Sequence, residues 1–193
     1  PEYSSEKVMT MEFLDGVELH DVEKLKKRKV NMRKIIEYGF SMTLHQVFED
    51  GFFHADPHPA NILILDNDTI GLVDFGIVGF FDEFLKQRSI ELFYGVVEDD
   101  VDSIVQSFTE MGLVDEKVTN LPEFKIKLKE VLRPLQHSTL KEVQVSHVLE
   151  DVLDLALHYH IKLPLDFVLF GKALVTIEGI GLEYDPTFTM SET

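Results

Sequence analysis

The spacing of apolar residues changes twice along this 193-residue chain. Residues 7–14 (KVMTMEFL) alternate between apolar and polar positions, which predicts a strand ending at the turn Asp15-Gly16. Over residues 31–50 the apolar positions recur at helical spacing. This pattern predicts an amphipathic helix that begins at the cap Asn31 and stops at Gly51.

The middle of the chain carries a polar loop at 54–61 and then a hairpin pattern, with apolar runs at 62–65 and 70–73. Beyond residue 83 the spacing is almost entirely helical, with boundaries marked by Pro122, Pro134 and Pro164. The predicted helices are 83–111, 123–135, 143–160 and 165–180. The fold class expected is therefore mainly α with a few short β-strands, α+β overall.

Composition narrows the function classes. The chain has 35 acidic and 18 basic residues, a net charge of −17, and 45% hydrophobic residues, which is typical of a globular domain. The absence of cysteine excludes disulfides and thiolate chemistry. A pI near 4.7 argues against nucleic-acid binding. We recognise no signal-like start and no spanning run, so we expect a cytoplasmic protein. Because the chain begins at Pro1, we expect it to be an excised or processed piece.

One basic run stands out against this acidic background. Seven of the 18 Lys and Arg residues lie between Lys24 and Lys34. The simpler interpretation is a solvated helix end or loop. The alternative is a patch for anionic lipid or phosphate, which would give the protein a peripheral contact with a membrane.

The candidate chemistry lies in the polar loop and at the end of the hairpin. His54, Asp56 and Asn61 form the pattern H-x-D-x-x-x-x-N, and thirteen residues further on Asp74 begins the sequence D-F-G. A kinase-type phosphoryl-transfer site needs a helix before the first motif and a strand pair before the second. In this interpretation Asp56 meets the attacking oxygen, Asn61 and Asp74 hold Mg²⁺, and His54 braces the loop.

Other interpretations of these motifs exist. D-F-G alone is a weak signal, because many strands end in an aspartate followed by a turn glycine. The set His54, Asp56 and His58 forms H-x-D-x-H, which could bind a transition metal in a hydrolase. Each motif taken separately is more often structural than functional. Their fixed spacing and the elements between them favour phosphoryl transfer.

The two motifs carry a family resemblance. HADPHPAN followed by LVDFG resembles the UbiB-type atypical kinase family, also called the ABC1 or aarF-type family, which is linked to ubiquinone (coenzyme Q) biosynthesis. Residues 8–16 resemble its hinge strand, and the segments 163–164, 171–174, 176–179 and 184–186 resemble its C-terminal helical signature. The resemblance implies a protein-kinase-like C-terminal lobe over 1–193: a hinge strand (1–16), a helix (31–53), the catalytic loop, hairpin and D-F-G (54–76), and a helical subdomain (83–182).

The resemblance also assigns roles to residues. Met11 would be the gatekeeper, and Glu12 and Leu14 would face the adenine of ATP through backbone atoms. Asp56, beside His54, would be the catalytic aspartate. Asn61 and Asp74 would be the Mg²⁺ ligands.

This chain departs from the family pattern in two features. The family usually has glycine where this chain has Ala60. The chain also shows no phosphate loop, strand lysine or lysine-glutamine extension before Pro1, so we expect this piece alone to turn over little ATP.

The acceptor of the phosphoryl group and the activity itself are left open. No A-P-E-like segment follows D-F-G, so a small or lipid-linked acceptor, or coupled ATP hydrolysis, fits better than a protein substrate. The expected partners are nucleotide and a lipid or prenyl-quinone-pathway component. The alternatives are an aminoglycoside- or choline-kinase-like phosphotransferase and a non-catalytic pseudokinase scaffold.

Overall fold

Seven α-helices and five short β-strands form in the computed structural model, which describes residues 2–115, 117–137 and 145–184. The strands are β1 (Val17–Glu18), β2 (Phe52–His54), β3 (Ile62–Ile64), β4 (Ile70–Leu72) and β5 (Val78–Phe80). The helices are α1 (Val22–Arg28), α2 (Met32–His45), α3 (Glu83–Val97), α4 (Val101–Glu110), α5 (Leu121–His137), α6 (Val145–His158) and α7 (Leu165–Tyr184). The mainly helical fold class is confirmed.

Two small antiparallel sheets carry the strands. The predicted hairpin is confirmed: β3 pairs with β4, and β1 adds to the outer edge of β3. The second sheet pairs β2 with β5, so that Phe52 faces Phe80 and His54 faces Val78. Residues 52 and 53 were predicted as helix, which is wrong. After one π-helical turn at Gln46–Asp50, Gly51 adopts a left-handed φ of 70°, and the chain leaves the helix as a strand.

The predicted strand at residues 7–14 is also wrong. Among the described residues this segment has one isolated bridge, between Ser5 and Val8, and no strand. Apart from the half-buried Leu14, its apolar side chains are exposed, including Phe13 at 87% and Met9 at 76%. Alternation alone does not make a strand, because an extended segment needs the edge of another strand to satisfy its backbone groups. The first strand of the described residues is β1.

The helical part differs from prediction in its boundaries. The expected helix 83–111 is two helices, because Asp99 has a φ of 55° and the Asp100 side chain caps α4 by accepting from the Ser103 N–H. Pro134 lies inside α5 rather than at its end, and α7 runs to Tyr184. Of the helix predicted at 143–160, residues 143 and 144 lie outside the described residues.

Three apolar clusters hold these elements together. One lies among α3 to α6 around Phe124 and Leu128. A second joins α2, the three-stranded sheet and α7, and it includes Ile64 and Ile180. The third surrounds Phe53, with Phe167 and Phe170 of α7 packed against it. Helix α7 therefore contacts both clusters that flank the 54–61 loop.

Candidate active site

His54 ties the predicted catalytic loop to the strand end that precedes Asp74. Its side chain is 2% exposed, and its Nε2 lies 3.0 Å from the carbonyl oxygen of Val73. Its Nδ1 lies 3.2 Å from the Asp56 backbone nitrogen, which donates to it. We assign the ring hydrogen to Nε2 because these partners require a donor there and an acceptor at Nδ1. The contacts of His54 are those of a brace rather than of a reacting group.

A short 3₁₀ turn at Pro59–Asn61 shapes the rest of the loop. The His58 Nδ1 accepts from the Ala60 N–H at 3.2 Å, and the His58 N–H donates to the Asp56 carbonyl at 2.7 Å. Ala60 is exposed and is not among the described residues with positive φ. An alanine therefore fits at this position without backbone strain.

Two hydrogen bonds gather Asp56, Asn61 and the hairpin end. The Asn61 Nδ2 donates to the Asp56 carbonyl at 3.1 Å and approaches its Oδ2 at 3.5 Å. The Val73 N–H donates to the Asn61 carbonyl at 3.0 Å, and Asp74 is the next residue after Val73. Asp74 is exposed, has a φ of 57°, and accepts from the Gly76 N–H at 3.2 Å. These bonds join Asn61 to Asp56 and bring the Asn61 backbone beside Val73, the residue before Asp74. The convergence of the three side chains on one Mg²⁺ stays a prediction.

Lys172 is a fourth polar residue in this group, and sequence analysis gave it no role. Its Nζ lies 2.8 Å from the Asp56 Oδ1, across 116 positions of the chain. This hydrogen bond, supported by the ammonium charge, holds the pKa of Asp56 below its usual value of 3.8 against the opposing effect of burial. The signal available in the sequence was that Lys172 is the sole basic residue of the 20-residue helix α7.

The donor set at the hairpin end fits magnesium better than a transition metal. Mg²⁺ takes hard oxygen ligands, keeps several waters and uses few protein groups, and Asn61 and Asp74 offer an amide oxygen and a carboxylate. Within residues 2–115, 117–137 and 145–184, no three His, Cys, Asp or Glu side chains gather closely enough to hold a metal ion. Both ring nitrogens of His54 already have protein partners. The H-x-D-x-H alternative therefore has no formed site.

The residues predicted to face adenine lie in the irregular segment before β1. Leu14 packs against the hairpin, since its Cδ1 lies 3.0 Å from the position that a Cβ on Gly71 would take. Met11 and Glu12 are exposed, Met11 at 67%. Their contact with adenine stays a prediction.

The basic run is partly neutralised by nearby aspartates. The Lys24 Nζ lies 2.6 Å from Asp21, whose carboxylate also caps α1. Arg28 lies 3.8 Å from Asp66. Peripheral membrane contact through this run stays a prediction. None of the helices in the described part of the chain is both long enough and apolar enough to cross a bilayer.

A loop that presents an aspartate and an asparagine beside a strand ending in a second aspartate is the arrangement of protein-kinase-like folds. Comparison with known families agrees. Residues 1–108 match the ABC1 atypical kinase-like domain, and residues 128–189 match the UbiB helical domain. The chain therefore belongs to the ABC1 atypical kinase-like family, as the resemblance predicted.

Among curated proteins, two relatives illustrate the similarity. The chain is 32% identical over 198 aligned positions to a "Probable protein kinase UbiB" of Klebsiella pneumoniae subsp. pneumoniae and equally to the one of Klebsiella pneumoniae strain 342. All of this chain is covered in both alignments, but only 36% of each relative. The chain thus spans about a third of the length of these relatives.

Proposed function

We propose that this chain supplies the magnesium-binding and acceptor-facing part of an ATP-dependent atypical kinase or ATPase. The observation that carries the proposal is that the Asn61 amide donates to Asp56 while the Asn61 carbonyl accepts from the N–H of Val73, the residue before Asp74. Each side chain then has the chemistry that its position requires. Phosphoryl transfer asks a protein mainly for positioning and for neutralisation of charge.

The roles divide between the two ends of this group. The Asn61 amide oxygen and the Asp74 carboxylate would hold Mg²⁺, which when bound supplies the charge that neutralises the phosphates of ATP. Asp56 would orient the acceptor hydroxyl or water and accept its proton. His54 would hold the loop at Asp56 against the strand end at Val73 through its contacts with both residues. Met11, Glu12 and Leu14 would line the adenine side.

A small or lipid-linked acceptor suits the segment that follows D-F-G. Only six residues, 77–82, separate Gly76 from helix α3, and they include β5 and the cap Asp82. Ordinary protein kinases place a longer activation segment here and use it to hold a peptide substrate. Together with the family resemblance, this favours an acceptor connected with the ubiquinone pathway. The relatives' description as probable protein kinases names the opposing outcome, a protein acceptor.

The metal assignment can be tested on the 193-residue chain by Mn²⁺ binding, followed by electron paramagnetic resonance with and without ADP. Asp74→Asn should weaken Mn²⁺ binding about tenfold or more because it removes a charged ligand, and Asn61→Ala should weaken it less. Asp56→Asn should leave binding nearly unchanged. Asp66→Asn is the control, since it removes the same charge from a hairpin-turn side chain that is 94% exposed.

Two results would contradict the proposal. One is an equal loss in Asp74→Asn and Asp66→Asn, which would indicate only a general charge effect. The other is a larger loss in Asp56→Asn than in Asp74→Asn, which would reverse the base and the ligand. The complementary test is ATP turnover by the longest form that the gene encodes, where Asp56→Asn should lower kcat by roughly 10²- to 10⁴-fold.

A further inference from the structure

The ion pair between Lys172 and Asp56 joins the two regions that match separate family models. Asp56 lies in the kinase-like region, residues 1–108, and Lys172 lies in the helical region, residues 128–189. The pair has an N–O distance of 2.8 Å. Its partners lie 116 positions apart in the chain, farther than those of the other ion pairs described, such as Arg28–Asp66 and Lys129–Asp99.

We propose that Lys172 is a positioning residue of the active site, which fixes the orientation of the Asp56 carboxylate so that the helical region completes the catalytic loop. This inference rests on the proposed function, in which Asp56 faces the acceptor oxygen. Lys172 transfers no group in this role.

The surroundings of Asp56 leave its carboxylate as the one part that the loop does not fix. Its N–H is bonded to His54, and its carbonyl accepts from His58 and Asn61. The carboxylate oxygen Oδ2 meets Asn61 at the long distance of 3.5 Å, whereas Oδ1 has the short contact with Lys172. The contact with Lys172 therefore determines how the Asp56 carboxylate is oriented.

Helix α7 is a firm support for this lysine. Near its start, the Asp166 Oδ1 accepts from the Phe80 N–H at 2.9 Å, and at its end the Tyr184 hydroxyl donates to the Leu19 carbonyl at 2.5 Å. Next to Lys172, Ala173 is fully buried. Because α7 is bonded at both ends and packed in the middle, the backbone of Lys172 keeps a fixed position. A residue that orients another side chain needs such a fixed position.

An ion pair of this exposure contributes little to stability, so its role has to be measured on the reaction. The chain offers a matched control in Lys127, whose Nζ also lies 2.8 Å from a carboxylate, that of Glu130, and whose side chain is also 49% exposed. Lys127 lies on α5, and its pair is local. Lys172→Met and Lys127→Met thus remove equivalent charges and pairs, one at the site and one away from it.

The main experiment measures ATP turnover in the longest form of the protein that the gene encodes. Lys172→Met should lower kcat about 10- to 100-fold, the cost of a misplaced catalytic group, with little change in KM for ATP. Lys172→Arg should restore most of the rate, and Lys127→Met should match the wild type. In an Asp56→Asn background, Lys172→Met should have little further effect.

Additive losses in the double variant, no rescue by arginine, or a change confined to KM would each overturn the proposal. A second measurement does not depend on turnover: amide hydrogen exchange in the 193-residue chain. Lys172→Met, but not Lys127→Met, should speed exchange at Asp56 and His58, with thermal melting confirming the same fold. If the wild type has no ATPase or kinase activity, the proposed function fails. Unchanged loop exchange would then, independently, overturn the role of Lys172.

Discussion

Replacing His54 with alanine tests whether the predicted catalytic loop and the D-F-G strand end are held together by one side chain. His54 is buried, and its two ring nitrogens contact Val73 and the backbone of Asp56. Its ring also packs edge-on against Phe75, with the ring centres 5.1 Å apart. His54→Ala removes all three contacts together and leaves the Asp56 N–H without its partner.

The size of the effect follows from those contacts. Each ring hydrogen bond contributes roughly 0.5–1.5 kcal/mol net, and a buried donor left unpaired costs about 1–3 kcal/mol. Loss of the buried ring adds a cavity, so the total should fall at about 2–5 kcal/mol. That is a large part of the roughly 5–15 kcal/mol that holds a domain folded, and the Mn²⁺ binding that we propose at Asn61 and Asp74 should weaken with it.

Urea unfolding of the 193-residue chain, followed by circular dichroism, measures this change as a shift in midpoint at constant slope. The control is His58→Ala, which alters the other loop histidine but removes only the exposed bond from Ala60, and should cost about 1 kcal/mol or less. A loss in His54→Ala no larger than in His58→Ala would refute the bracing role.

Two further predictions concern the scaffold. Gly79→Ala should destabilise the chain by about 1–3 kcal/mol in the same urea assay, because the new Cβ would lie 2.2 Å from the buried ring of Phe53. In helix α2, the Cβ of Gly39→Ala meets nothing within 4 Å, so this substitution should stabilise the chain by about 0.5–1 kcal/mol. Equal effects of the two substitutions would contradict this packing. The hydrogen bonds from Ser103 lower the pKa of the cap Asp100 in the folded state below 3.8. Its contribution is therefore complete above that pH and is lost as the pH falls through the folded pKa, so the gap in melting temperature between wild type and Asp100→Asn should close on acidification below pH 3.8. A gap that widens on acidification would contradict the cap.

Sequence analysis correctly predicted features that depend on residues close together in the chain. The cap Asn31 accepts from the Lys34 N–H as its position predicted, and the hairpin forms where two apolar runs flank a polar turn. In these cases the partners lie within a few residues, and the local pattern contains the whole interaction. The family resemblance added the ligand set, whose roles stay predictions.

Signals that need a distant partner were missed or misread. The pairing of β2 with β5 brings Phe53 against Gly79, but each strand has three residues, too few to show alternation. The 7–14 segment alternates well and still lacks a strand partner among the described residues. The break at Asp99 carries neither glycine nor proline, so helical spacing passes through it without interruption.

Helix α7 packs against parts of the fold that are far from it in the chain. Ile180 packs with α2 and the three-stranded sheet, while Phe170 lies edge-on to Phe53, directly before His54. Lys172 reaches Asp56 between these two contacts. A boundary drawn in sequence between the kinase-like and helical matches is therefore not a boundary in packing. We therefore expect substitutions on the buried face of α7 to alter the conformation of the 54–61 loop, because loop and helix form one packed unit.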